Sequence, residues 1–98
     1  MPLDGTHLEE WQTTLLKAAE IVRERWNPRA YGHKGGPRCA LGAIDEAAGR
    51  GLSGAHPAVR HLRGHVGCFI SDWNDSPGRT AEEVASVMES VALSQGRA

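Results

Sequence analysis

Leu8, Trp11, Leu15, Ala18, Ala19, Val22 and Trp26 recur at steps of three and four, and this spacing constrains the chain more than anything else in it. It is the period of one buried face on an α-helix. Glu9, Glu10, Lys17, Glu20, Arg23 and Glu24 fill the opposite side. Thr6 followed by Glu9 reads as a capping box, each side chain satisfying a backbone N–H at the helix mouth. The helix is therefore predicted to begin near His7. Asn27-Pro28 stops it, because proline pushes the residue before it out of the α region.

The remaining elements carry their own start and stop signals. Cys39 to Ala48 reads as a helix of small residues, with Pro37 suited to its first turn and Gly49 or Gly51 at its end. Cys39, Ala43 and Ala47 fall on one line and Ala40, Ile44 and Ala48 on the next. Small side chains admit close neighbours, so this helix is expected to sit centrally. Pro57 opens a third helix with Ala58, Val59 and Leu62 inside. Val66, Cys68, Phe69 and Ile70 are apolar and expected to be buried as the chain turns toward Trp73, itself read as a buried anchor. Pro77-Gly78 is turn chemistry. Thr80 with Glu83 forms a second capping box, and the last helix is predicted from Ala81 to about Leu93, with Val84, Val87, Met88 and Val91 turned inward.

No alternating strand pattern competes with these signals. The expected fold is all-α: a small compact bundle of about four helices with one irregular loop before the last helix. The 98 residues suit a single helical domain, its core spanning about 7–93. No apolar run approaches ~18 residues and the N-terminus has no signal-like apolar stretch, so no membrane partner is expected and the cytoplasm is the expected compartment. Cys39 and Cys68 are expected to be reduced, buried thiols in that compartment.

The net charge of −1 hides a division. Acids dominate residues 1–24 and 72–98, whereas 25–71 carries Arg25, Arg29, Lys34, Arg38, Arg50, Arg60 and Arg63 against only Asp45 and Glu46. A basic stretch of this kind either faces a polyanion or is neutralised by the acidic helices of its own fold. The aromatic interleaving of nucleic-acid binders is missing, which favours the internal explanation. A nucleic-acid role would use Arg25, Arg29, Lys34, Arg38, Arg60 and Arg63 converging on one face.

Other constellations are weaker. Lys34 among Gly32, Gly35 and Gly36 lacks the Ser or Thr and the preceding strand of a phosphate loop. His61, His65 and Cys68 stand at i, i+4 and i+7, with Cys39 or Asp72 to complete a zinc set, but Gly64 and Gly67 interrupt the line and the spacing matches no common finger. Cys68 with His65 and Asp72 is a poor nucleophile arrangement, since Cys68 between Gly67 and Phe69 reads as buried. Asp72, Asp75, Glu82 and Glu83 suit helix-start capping better than calcium. Thus no catalytic residue, no metal and no cofactor is expected. Trp73, Asn74, Asp75 and Arg79, with the Arg60/Arg63 face, form the candidate binding surface.

Cys39-Ala-Leu-Gly-Ala-Ile44, then Trp73-Asn74-Asp75, then Gly78-Arg79-Thr80 with Glu83-Val84 resemble a known family. This is domain of unknown function family 6197, small proteins of actinobacteria, other bacteria and their phages. Its members similarly begin with a helix ending in Trp, followed by a Gly/Tyr-containing loop, here Ile21 to Trp26 and then Tyr31-Gly32. The resemblance covers roughly residues 11–93. Arg25 departs from it, standing where a Gly is common. It implies no activity or cofactor, and it implies a phage or prophage link, where small accessory proteins often bind host proteins. The expected protein is therefore a small helical accessory protein, monomer or homodimer, acting through a protein partner.

Overall fold

The computed structural model describes residues 8–28, 35–49 and 56–94. Five helices occupy them: α1 (Glu10–Arg25), α2 (Ala40–Ala48), α3 (Pro57–Val66), α4 (Ile70–Asn74) and α5 (Ala81–Ser94). Of these residues 72% are helical and none lies in a strand, so the fold is the expected all-α bundle. The radius of gyration is 12.7 Å, close to the ~13 Å of a compact domain of this length.

α1 is the central packing element, lying mainly against α5 and α2. Its Leu15, Ala18, Ala19 and Val22 are fully buried, while Trp11 and Trp26 are half-buried at its two ends. α5 answers with Val84, Ala85, Met88, Val91 and Ala92, and α2 with Ala40, Ala43 and Ile44. The alanines on all three helices allow close approach, as the small-residue character of α2 implies. Ala58, Val59 and Leu62 close the core from α3.

α1 begins later than predicted. Its N-cap is Glu9, not Thr6, which lies outside the described residues. Gln12 makes this start work: its Oε1 accepts the Glu9 N–H at 2.7 Å, and its Nε2 donates to the Ala92 carbonyl of α5 at 2.7 Å. One buried side chain thus ties the start of α1 to the end of α5. At the other end Trp26 and Arg38 form an isolated parallel bridge, with Arg38 N–H donating to Arg25 O and Asn27 N–H to Arg38 O. On the flank, Arg23 of α1 donates to both Glu82 and Glu89 of α5.

The irregular loop expected before the last helix contains the short helix α4. Gly67 at φ 81° ends α3 in the left-handed conformation that a side chain would resist. The Val66–Ile70 run is thereby split, and its burial was over-predicted. Ile70 is buried, Val66 is intermediate, and Cys68 and Phe69 are exposed. Downstream, Thr80 Oγ1 accepts the Glu83 N–H at 3.1 Å, the backbone half of the expected capping box. Among the described residues no helix is long and apolar enough to cross a membrane.

Candidate functional site

The candidate residues separate into an inner group and an outer group. Trp73 and Asn74, on the last turn of α4, point inward, at 8% and 1% exposure. Asn74 uses its whole amide. Its Oδ1 accepts from Trp26 Nε1 at 2.8 Å and from Ala40 N at 3.0 Å. Its Nδ2 donates to Pro28 O at 3.0 Å and to Asp75 Oδ1 at 2.9 Å. Cys39, the N-cap residue of α2, makes no side-chain cap bond. Asn74 supplies that function from another helix, satisfying the first N–H of α2. The residues that bracket the α1–α2 loop are pinned by one side chain.

Arg79 belongs to the same inner group. Its Nε donates to the Trp73 carbonyl at 2.9 Å, its guanidinium carbon lies 4.9 Å from the Trp73 ring centre, and Nη1 pairs with Glu83 at 2.9 Å. Asp75 remains exposed apart from its contact with Asn74.

Two cations of the basic middle, Arg25 and Arg38, are paired with its own two acids. Arg25 pairs with Glu46 at 2.8 Å, and Arg38, 4% exposed, reaches Glu46 at 3.4 Å and Asp45 at 3.7 Å. The Arg25 hydrogen bond is the largest influence holding the Glu46 carboxyl down to about 2, with help from the Gly35 N–H and Arg38 and against the effect of burial. Arg29 and Lys34 lie outside the described residues, so the six-residue basic face does not assemble among the described ones.

The outer group surrounds an open depression of about 580 Å³ between α3 and α4, lined by Arg60, Arg63, Gly64, Gly67, Cys68, Phe69 and Asp72. Phe69 is 59% exposed, the larger exposure of the two exposed large apolar residues among the described ones. The Arg63 guanidinium carbon stands 4.6 Å from its ring centre, within cation–π range. Arg60 and Arg63 were legible in the sequence; Phe69 and Cys68 were not, because the apolar run around them read as core. The signal that could have found them is Gly67, a helix terminator in mid-run.

The zinc line does not form in this geometry. α3 ends at Val66, so Cys68 leaves the row of His61 and His65, and His61 stacks on Trp11 with ring centres 3.7 Å apart and planes 9° from parallel. Among the described residues no group of three or more His, Cys, Asp or Glu is placed to hold a metal ion. Cys39 is half-buried and Cys68 exposed, and both thiols are free, which corrects the expected burial of Cys68.

The residues that carry this geometry fall within one family model. The family of unknown function DUF6197 matches residues 7–93. The chain belongs to that family. No curated protein and no solved structure matches it. Within the matched residues Trp73, Asn74 and Arg79 hold the fold together, whereas the α3–α4 depression faces outward.

Proposed function

We propose that this DUF6197 chain is a single-domain protein-binding module, a phage- or prophage-linked accessory protein of the cytoplasm, and that its docking surface is the α3–α4 depression. One observation carries the reading: Phe69, a large apolar side chain, stands mostly exposed beside Arg63 in a depression of about 580 Å³ that Arg60 also lines. Exposed aromatic and arginine side chains grouped in a concavity are the composition of interface hot spots. The family resemblance supports the phage link by association. The nucleic-acid alternative is weakened, since Arg25 and Arg38 are engaged by Glu46 and Asp45.

Affinity capture tests it, with the wild-type chain and Phe69→Ala as baits in nuclease-treated lysate of a bacterium carrying the gene. The expected result is at least one protein retained by the wild type and lost with Phe69→Ala at unchanged circular dichroism. Equal capture by both baits contradicts the reading.

A further inference from the structure

α3 carries no acidic residue: its sequence is PAVRHLRGHV. Arg60, Arg63 and His65 are exposed along it. Elsewhere the fold pairs its arginines with its own carboxylates, Arg23 with Glu82 and Glu89, Arg25 and Arg38 with Glu46, and Arg79 with Glu83. Arg63 lies over an aromatic ring instead, and among the described residues it makes no ion pair. Among the residues lining the depression, the basic Arg60 and Arg63 outnumber the one acid, Asp72.

Gly64 adds an independent observation. It sits inside α3, where glycine is destabilising relative to alanine. Its backbone is not among the left-handed glycines, and a Cβ built there would meet nothing within 4 Å. Nothing in the described fold requires a glycine at this position. It does line the depression, so the missing side chain leaves room for something outside the chain to approach the helix backbone closely.

The geometry points to one class of occupant: an acidic segment of a partner protein in which carboxylates flank a single apolar side chain. The apolar side chain packs beside Phe69, the carboxylates reach toward Arg63, and the segment's backbone passes over Gly64. Two arginines do not make the continuous basic track that a nucleic acid follows. The assignment rests on the protein-binding reading of the same face and names its partner by chemistry.

The test is selection from a random-peptide display library on the immobilised full chain. Recovered peptides are expected to be enriched in Asp and Glu beside Leu or an aromatic residue. They should bind about tenfold more weakly to Arg63→Glu and measurably more weakly to Arg63→Gln. Gly64→Ala should weaken them too while raising the melting temperature, a pairing that damage to the fold cannot produce. Three results overturn the acidic assignment: peptides without acidic bias, peptides indifferent to Arg63→Glu and Gly64→Ala, or no binder at all. If unbiased peptides still lose binding on Phe69→Ala, the partner chemistry is wrong but the docking face stands. If Phe69→Ala also has no effect on them, both readings fail. Binding of an oligothymidylate at 0.15 M salt, lost in Arg63→Glu, would reassign the face to nucleic acid and overturn the proposal.

Discussion

Arg38 is 4% exposed and held by Asp45 and Glu46, one turn of α2 presenting both acids to it. Arg63, from the same basic stretch, is exposed and lies against the ring of Phe69. Their difference is not in the side chain itself. A neighbouring helix delivers carboxylates to one arginine, and an acid-free helix carries the other outward. Around Arg38 and Asn74 every named polar contact is internal, and Asn74 reaches Trp26, Pro28 and Ala40 from far along the chain. Around Arg63 the polar and aromatic groups face solvent. A cation count along the chain gives these two regions equal weight, and only the packing of α2 against α1 separates them.

The largest effect expected from perturbing this contrast is at Asn74. Asn74→Ala removes four hydrogen bonds and strands the half-buried Trp26 indole N–H and the buried Ala40 N–H, which should cost roughly 3–4 kcal/mol. The melting temperature should fall on the order of 15 °C, read by thermal or urea denaturation. A loss under about 1 kcal/mol would mean that the pin is not structural.

Glu46→Gln comes next, and its signature is pH dependence. The folded Glu46 carboxyl sits at about 2 against an ordinary value of 4.5. Between those values the unfolded chain binds more protons than the folded one, so stability rises with pH across that window and is lost as pH falls through it. Urea midpoints measured from pH 2 to 6 should show a shallower acid limb in Glu46→Gln. The limb should not vanish, because Glu82, held to about 2 chiefly by Arg23, titrates across the same range. An unchanged slope would show that the Arg25–Glu46–Arg38 cluster does not contribute to folding.

How much of this contrast was legible follows from the range of each interaction. α1, the Pro57 start of α3, the inward residues of α5 and the Thr80 cap are local patterns, set by spacing over a few residues, and they were readable. Asn74 was not readable as a pin, since its partners Trp26, Pro28 and Ala40 lie 48, 46 and 34 positions away. In the sequence it reads as part of a candidate binding surface. Phe69 and Cys68 misled in the opposite direction. Apolar neighbours indicated burial, but the left-handed turn at Gly67 redirected the chain so that Ile70 entered the core and Phe69 did not. Arg60 and Arg63 were set apart as candidates, while the neutralisation of Arg25 and Arg38 was anticipated in kind but assigned to other acids.

Smaller effects belong to the outer region. Gly64→Ala should stabilise the chain by about 0.5–1 kcal/mol in urea denaturation, because it removes a helical glycine with open space above it. A destabilised Gly64→Ala would place an unseen neighbour over the helix. Phe69→Ala should change stability by no more than about 0.5 kcal/mol, the ordinary range for an exposed site, despite the size of the side chain removed. A loss of several kcal/mol would make Phe69 part of the core and remove the docking surface.

Side-chain 15N–1H exchange spectra of the wild-type protein, with arginine and asparagine resonances assigned, test the division between the two regions most directly. The account predicts slow exchange with water for the Arg38 guanidinium and the Asn74 amide, and fast exchange for the Arg63 guanidinium. An Arg63 signal as protected as that of Arg38, or an Asn74 amide exchanging as fast as Arg63, would contradict it.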